Sequence, residues 1–413
     1  MVVDRSRENA FCEVVNHSLQ TWGWNVGDEL PAAAYVHIPF CRHRCGYCNF
    51  SLLANRSDLY ERFLTALERE LKGLQVPRSV QTIFLGGGTP SILPLPLLSR
   101  LLELLHGWLP ISRDADVAPI HDSPSTEFSI EANPLDITHA FCQSCVQHGI
   151  DRISIGGQSF QPSKLQRLER DHSPTQLRHA IAIAKEHFAR VSVDLIFGAP
   201  DESIDDWCRD LDALIATEIG HVSTYGLTYE KGAKFWSLRE KGMLAPVSED
   251  CELNMYEEAI DRLTAAGFVH YEVSNFCKPG EQCVHNQAYW MGRPWWAFGP
   301  SAARYVGNRR SVNHRSTLEY LKRLESDKSP VDESEDLNED QRLRERFVFG
   351  MRQLQGVPWD SWKKSGPNES VAHIDSNIRR HIEHGWMQEV EDRIALTREG
   401  LMLSDSLWSE YLQ

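Results

Sequence analysis

The sequence predicts an α/β protein, with strand-helix units repeated around a parallel sheet and then a small helical unit of winged-helix type. Three observations carry this. From Tyr35 onward, short apolar runs rich in β-branched residues alternate with stretches of helical period. At 413 residues the chain is long enough for one large α/β domain and a smaller one. After an acidic stretch around residue 330 the order changes, and two helical segments precede two short strands.

Six strands are expected in the larger part: "YVHI" from Tyr35, "TIFL" from Thr82, "FSIE" from Phe128, "RISI" from Arg152, "VSVDLIF" from Val191 and "VSTYGL" from Val222. Between the first two, Leu59, Phe63, Leu67, Leu71 and Leu74 form an apolar stripe on one face of a helix. Further helices fit 95–109, 174–188, 204–216 and 249–266. The polar segment 112–126, with Pro119 and Pro124, reads as an exposed loop. In "ESDKSPVDESEDLNEDQ", 325–341, eight acidic residues against one lysine give −7, the signature of a solvated linker. Beyond it, helices at about 340–354 and 371–384 lead to "MQEV" from Met387 and "RIAL" from Arg393, turned through Glu391 and Asp392. The expected division is therefore an N-terminal extension 1–34, a core 35–305, an acidic linker region 306–341 and a C-terminal domain 342–413.

Charge narrows the partners. With 58 acidic and 43 basic residues the net charge is −15, which disfavours nucleic acid and anionic membrane surfaces. The winged-helix-like end does not reverse this, because residues 340–413 hold ten Lys and Arg against twelve Asp and Glu. The opening residues carry Asp4, Arg5, Arg7 and Glu8 and no long apolar run, so neither a secretory signal nor a membrane anchor is expected there. The expected address is the cytoplasm, where closely spaced cysteines are more often metal-binding or catalytic than disulfide-forming. Trp22 and Trp24 of the extension have no assigned role.

The motif that carries chemistry is "FCRHRCGYCNF", in which Cys41, Cys45 and Cys48 fall as CxxxCxxC, with Gly46 allowing a tight turn. A cubane [4Fe-4S] cluster takes one outside ligand per iron, so three thiolates leave one iron open to chelate a second molecule. Zinc is the alternative, and would need a fourth protein ligand, for which His43 is nearest; structural thiols are another. Cys142 and Cys145 also form a CxxC, but in a predicted helix, where core packing is expected. Cys12, Cys208, Cys251 and Cys277 are isolated.

Together with "YVHIPFC", "GGGTPS" from Gly86, "EANP" from Glu131, "RISIGGQSF" and "DLIFGAP", this loop resembles that of the radical S-adenosylmethionine (SAM) superfamily. Over about 35–305 the resemblance is to its oxygen-independent coproporphyrinogen oxidase branch and the related HemW-like heme chaperones. It implies a partial (β/α)6 barrel of TIM-like type, a HemN-type C-terminal domain, and a [4Fe-4S] cluster on Cys41, Cys45 and Cys48. Each motif ends a predicted strand, where barrel folds gather binding groups. SAM would then meet the backbone of Gly86, Gly87 and Gly88, the Thr89 hydroxyl, and polar groups of Glu131, Gln158 and Asp194. The resemblance adds Tyr35, Tyr47, Arg170 and Thr228 as cofactor contacts. The implied chemistry is reduction of the sulfonium by the cluster, giving methionine and a 5′-deoxyadenosyl radical.

Two features separate chaperone from oxidase. The oxidases continue as CxxxCxxCxC, whereas Phe50 occupies the last position here, as in HemW-like proteins. "CVHNQAYWMGRPWWAFGP" resembles their HNxxYW signature through His285, Asn286, Tyr289 and Trp290, which makes His285 a candidate heme ligand, with Cys283 nearby. A hydrogen-bonded structural histidine is the other reading. Trp295 and Trp296 either line a porphyrin site or plug the barrel. The expected function is a heme chaperone that binds heme and inserts it into recipient hemoproteins such as respiratory enzymes. The alternatives are an anaerobic oxidase decarboxylating coproporphyrinogen III, or a radical enzyme acting on another small substrate. Oligomeric state is not legible.

Overall fold

The computed structural model describes residues 30–112 and 126–413. The tryptophans of the N-terminal extension, and 113–125 of the expected loop, lie outside the described residues. All six expected strands are present: β1 (Ala33–Ile38), β2 (Thr82–Gly87), β3 (Glu127–Ala132), β4 (Arg152–Gln158), β5 (Arg190–Phe197) and β6 (His221–Gly226). They run parallel and pair in chain order. Their nearly continuous burial is what a parallel sheet demands of a strand covered on both faces.

Helices return the chain after each strand. The amphipathic α1 (Tyr60–Lys72) buries Phe63, Leu64, Leu67 and Leu71 against the sheet. It is followed by α2 (Leu95–Trp108), α3 (His139–Gln147), α4 (Pro162–Arg167), α5 (Pro174–His187) and α6 (Ile204–Ile215). Two starts are sharply specified: Ser173 and Gln176 form a capping box with Pro174 at the first helical position, and Ser203 and Asp206 form another. The long α7 (Glu249–Ala265) packs beside α6 and precedes β7 (Val269–Glu272) and β8 (Asn275–Cys277), antiparallel strands that finish one edge.

The opposite edge departs from expectation. After α8 (Val284–Trp290), Trp295 and Trp296 belong to β9 (Trp295–Phe298), parallel to β1. Strands β10 (Ala303–Val306), β11 (Arg309–Asn313) and β12 (Val331–Asp336) extend the sheet antiparallel, with α9 (Thr317–Glu325) between the last two. The twelve-stranded order is β12-β11-β10-β9-β1-β2-β3-β4-β5-β6-β8-β7. The stretch read as an acidic linker is therefore in part an edge strand. Its side chains are mostly exposed, and Arg309 and Arg310 of β11 pair with Asp336 and Glu335, which compensates charge that the sequence alone presents as bare.

The C-terminal unit has its own core, Phe347, Met351, Trp359, Ile374, Ile378 and Tyr411 among others. It comprises α10 (Glu339–Gly350), α11 (Asn368–Glu383), the hairpin β13 (Met387–Val390) and β14 (Arg393–Leu396), and α12 (Ser404–Leu412). Glu391 turns the hairpin at a φ of 56°. This unit seats on the larger part where Tyr256, Ile260 and Val273 join its core.

Candidate cofactor site

The loop after β1 is shaped by protein contacts. Cys48 N–H donates to the Cys45 carbonyl (3.1 Å), closing a turn. Arg44 donates to the carbonyls of Cys48, Phe50 and Leu52 (3.2, 3.0 and 2.9 Å). Gly46 is required by a neighbour: a Cβ there would sit 2.1 Å from the Phe235 ring, whose own N–H donates to the Gly46 carbonyl (2.8 Å).

Cys41, Cys45 and Cys48 line one cleft of about 440 Å³ at the C-terminal ends of the strands. Tyr47, Gly87, Gly88, Thr89, Glu131, Gln158, Arg170, Asp194 and Thr228 line it too, so the structure gathers most of the expected cofactor residues from loops far apart in sequence. Thr89 Oγ1 lies 3.2 Å from Cys41 Sγ, and Arg170 donates from Nη1 to Cys45 Sγ (3.5 Å) and from Nη2 to the Gly156 carbonyl (2.8 Å). Among the described residues the buried Arg170 Nε has no hydrogen-bond partner.

The donor set fits a polynuclear cluster. Four thiolates around one zinc at about 2.3 Å would bring sulfurs to about 3.8 Å of one another. Among the described residues, the groups whose ligand atoms all lie within 4.8 Å of each other do not include these cysteines. His43 is not a free fourth ligand, since its Nε2 donates to the Glu169 carbonyl (2.6 Å). Burial pushes the Cys41 thiol up to about 12, against the opposing Thr89 hydrogen bond, and raises Cys48 as well. Such thiols ionise when a metal centre supplies positive charge.

The rest of the wall suits a cation. Burial raises Glu131 to about 8, reinforced by Asp194 and opposed by the Gly87 N–H at 3.0 Å. Asp194 rises to about 6 through burial, opposed by hydrogen bonds from Ser223 and Ser154 and by Arg170. A positively charged ligand draws both carboxyls down, and Glu131, which holds a proton at neutral pH, then gives it up. SAM, with its sulfonium and ammonium, is such a ligand.

At three expected positions the residues have protein partners of their own. The space left by the missing Cβ atoms of the glycine run is filled by protein: at Gly86 by the Glu131 carboxylate (3.0 Å), at Gly87 (φ +104°) by His37 (2.4 Å), and at Gly88 by the Phe40 carbonyl (2.5 Å). These glycines thus let His37 and Glu131 pack, and only then border the cleft. Tyr35 does not line the cleft; its hydroxyl donates to His37 Nδ1 (3.1 Å), whose Nε2 donates to the Ser51 carbonyl (2.7 Å), so it acts through His37 on Gly87.

His285 is placed at the other end of the strands. Its Nδ1 pairs with Thr82 Oγ1 at the start of β2 (2.9 Å), and its Nε2 with the Tyr289 hydroxyl (2.8 Å). The ring is 1% exposed and packs on Phe84 and Tyr289; burial lowers its pKa to about 4. Both nitrogens are engaged, so in this conformation His285 is a packed structural residue. Cys283 is buried, its thiol donating to Glu127 (3.3 Å). Cys142 and Cys145 lie in the core, as expected.

Sequence reasoning missed Asn133, Asp136, Asp171 and Tyr225 in the cleft wall. Asp171 directly follows Arg170 and receives Asn133 Nδ2 (3.1 Å), and Asp136 pairs with Arg42. The available signal was adjacency to named motifs: Asn133 lies in "EANP" and Tyr225 is the penultimate residue of β6.

Comparison with known proteins agrees with this geometry. The Radical SAM superfamily model matches residues 35–214, and the HemN C-terminal domain model matches 337–403. Heme chaperone HemW of Mycobacterium tuberculosis is 35% identical over 91% of this chain and 94% of its own length. Heme chaperone HemW of Escherichia coli K12 is 31% identical over 92% and 98%. The solved coproporphyrinogen III oxidase (HemN) of Escherichia coli, a radical SAM enzyme, superposes with a TM-score of 0.81 at 21% identity, over 95% of this chain and 92% of that one; it shares the fold. Among the described residues no helix is long and apolar enough to cross a membrane. The chain belongs to the radical SAM superfamily, in the family of the heme chaperones HemW.

Proposed function

We propose that this protein holds a [4Fe-4S] cluster on Cys41, Cys45 and Cys48, binds SAM beside it, and carries heme to recipient hemoproteins such as respiratory enzymes. The observation behind the cofactor reading is the cleft itself, which combines three cysteine sulfurs with the buried pair Glu131 and Asp194. The bound cluster supplies an electron to the SAM sulfonium. Around it, Thr89 and Arg170 orient the sulfurs, Glu131 and Asp194 receive the positive charge of SAM, and Tyr47, Gln158 and Thr228 border the ligand. The heme reading is supported by relatives named heme chaperones over nearly their whole length and by Phe50 in place of a fourth cysteine. A reducing compartment, the cytoplasm, suits thiols that are all free among the described residues.

Heme contact at His285, which the resemblance implies, requires the ring to leave the Thr82 and Tyr289 hydroxyls. Heme titration by absorbance tests the proposal. Stoichiometric binding by the wild type supports carriage, and no binding refutes it. Parallel titration of His285→Ala decides the ligand: lost binding with an intact fold assigns iron to His285, and unchanged binding removes it from the heme site.

A further inference from the structure

Gln158 reaches the cofactor cleft from a backbone that an unassisted chain avoids. Its φ is +64°, and it is the central residue of a three-residue turn closed by the Ser159 N–H on the Gly157 carbonyl (2.8 Å). For an L-residue with a side chain this turn is the rare, strained form. The β4–β5 register breaks at this point, between Ile155 and Gln158; such a break re-aims a side chain. Something must hold the turn.

Both flanks are clamped. Upstream, His172 Nε2 donates to the Gly157 carbonyl (3.0 Å). Downstream, the fully buried Asp210 of α6 receives the Ser159 hydroxyl on both oxygens (3.0 and 2.7 Å) and the Phe160 N–H (2.6 Å). Asp210 is itself held by Lys164, whose ammonium is 1% exposed as a residue, lies 3.0 Å from Asp210 Oδ2 and 2.5 Å from Glu202 Oε1, and packs over Trp207. Glu202 in turn receives the Ala199 N–H of the loop after β5 (2.9 Å). A buried lysine between two buried carboxylates is costly to desolvate, yet none of these charges touches the cleft.

We propose that the Lys164–Glu202–Asp210 triad is a positioning device that holds Gln158 in its left-handed turn and so sets the affinity of the cleft for SAM. The proposal rests on the reading of the cleft as the SAM site. Asp210 is a positioning residue, and its effect passes through Gln158.

The test is a double-mutant cycle on cluster-reconstituted protein, with SAM affinity by calorimetry, the resonance of the reduced cluster with and without SAM, iron content and Tm. Asp210→Asn and the milder Ser159→Ala should weaken SAM binding, Asp210→Asn by about tenfold, the factor that a penalised left-handed residue represents. Iron content should stay at the wild-type level. In a Gln158→Ala background, Asp210→Asn should add nothing to the loss. Wild-type affinity in both Ser159→Ala and Asp210→Asn overturns the proposal, as does a loss that adds fully to that of Gln158→Ala, which would mark a merely structural triad. Wild-type affinity in Gln158→Ala overturns the proposal too, whereas failure of the wild-type protein to bind SAM at all overturns the reading of the cleft on which it rests. Ser159→Ala keeps the test decisive if Asp210→Asn does not fold.

Discussion

Glu131 should make SAM binding release a proton. Burial and Asp194 raise this carboxyl to about 8, so at pH 7 it is about nine-tenths protonated. A cation within hydrogen-bonding range lowers a carboxyl by about 1–3 units; a two-unit fall, to about 6, leaves about one-tenth protonated. Binding at pH 7 therefore releases about 0.8 proton. Between about pH 6 and pH 8 the affinity should rise with pH by about 25-fold. Calorimetry in buffers of different ionisation enthalpy reads the proton count directly. The same titration of Glu131→Gln gives the proton count without the carboxyl. Glu131→Gln should bind more weakly and release less by about 0.8 proton. Equal proton release by the two proteins would refute the assignment of Glu131 to the cationic end of SAM.

Each of Cys41→Ala, Cys45→Ala and Cys48→Ala should abolish reconstitution of iron, whereas Cys145→Ala, in the core of α3, should keep the iron and lose only stability; iron and sulfide analysis checks both. At the opposite end of the strands, burial works to raise Glu127, but Arg152, the Cys283 thiol and the N–H groups of Val284 and His285 outweigh it and hold the carboxyl at about 2. Its contribution to stability is present above about pH 4.3 and is lost as pH falls toward 2. Glu127→Gln strips the buried Arg152 of its charge partner (2.8 Å) and should cost about 3–5 kcal/mol in denaturant unfolding; a cost below about 1 kcal/mol would contradict that role. His285→Ala leaves the Thr82 and Tyr289 hydroxyls without their ring partner and should cost about 2–4 kcal/mol, measured by the same unfolding curves, with iron content unchanged.

The parallel core was legible because burial on both faces writes itself as "TIFL" and "VSVDLIF", runs that periodicity separates cleanly from the intervening helices. The cleft was legible for the same reason, since motifs at strand ends converge once the strands are parallel. What escaped notice depends on partners distant in the sequence. "VDESED" has no apolar alternation, and only Arg309 and Arg310 on the neighbouring strand make it an edge strand. Trp295 and Trp296 read equally as lining a porphyrin site or plugging the barrel, and only the pairing with β1 makes them part of a strand. Glu127 sits at the start of a strand, like many solvated acids, and nothing local announces Arg152 and the 283–285 backbone converging on it. His285 stands in a motif whose residues were legible, but the end of the strands at which it lies was not. Gln158 was named from its motif, but its left-handed backbone rests on contacts with Asp210, about fifty residues away.

The most direct test of the account is an anaerobic incubation of cluster-reconstituted protein with SAM and coproporphyrinogen III, with porphyrin and methionine products followed, beside a heme titration of the same preparation. Tight heme binding with no conversion of the porphyrinogen is the predicted result. Stoichiometric formation of protoporphyrinogen with cleavage of SAM would contradict it and make the protein an oxidase despite Phe50.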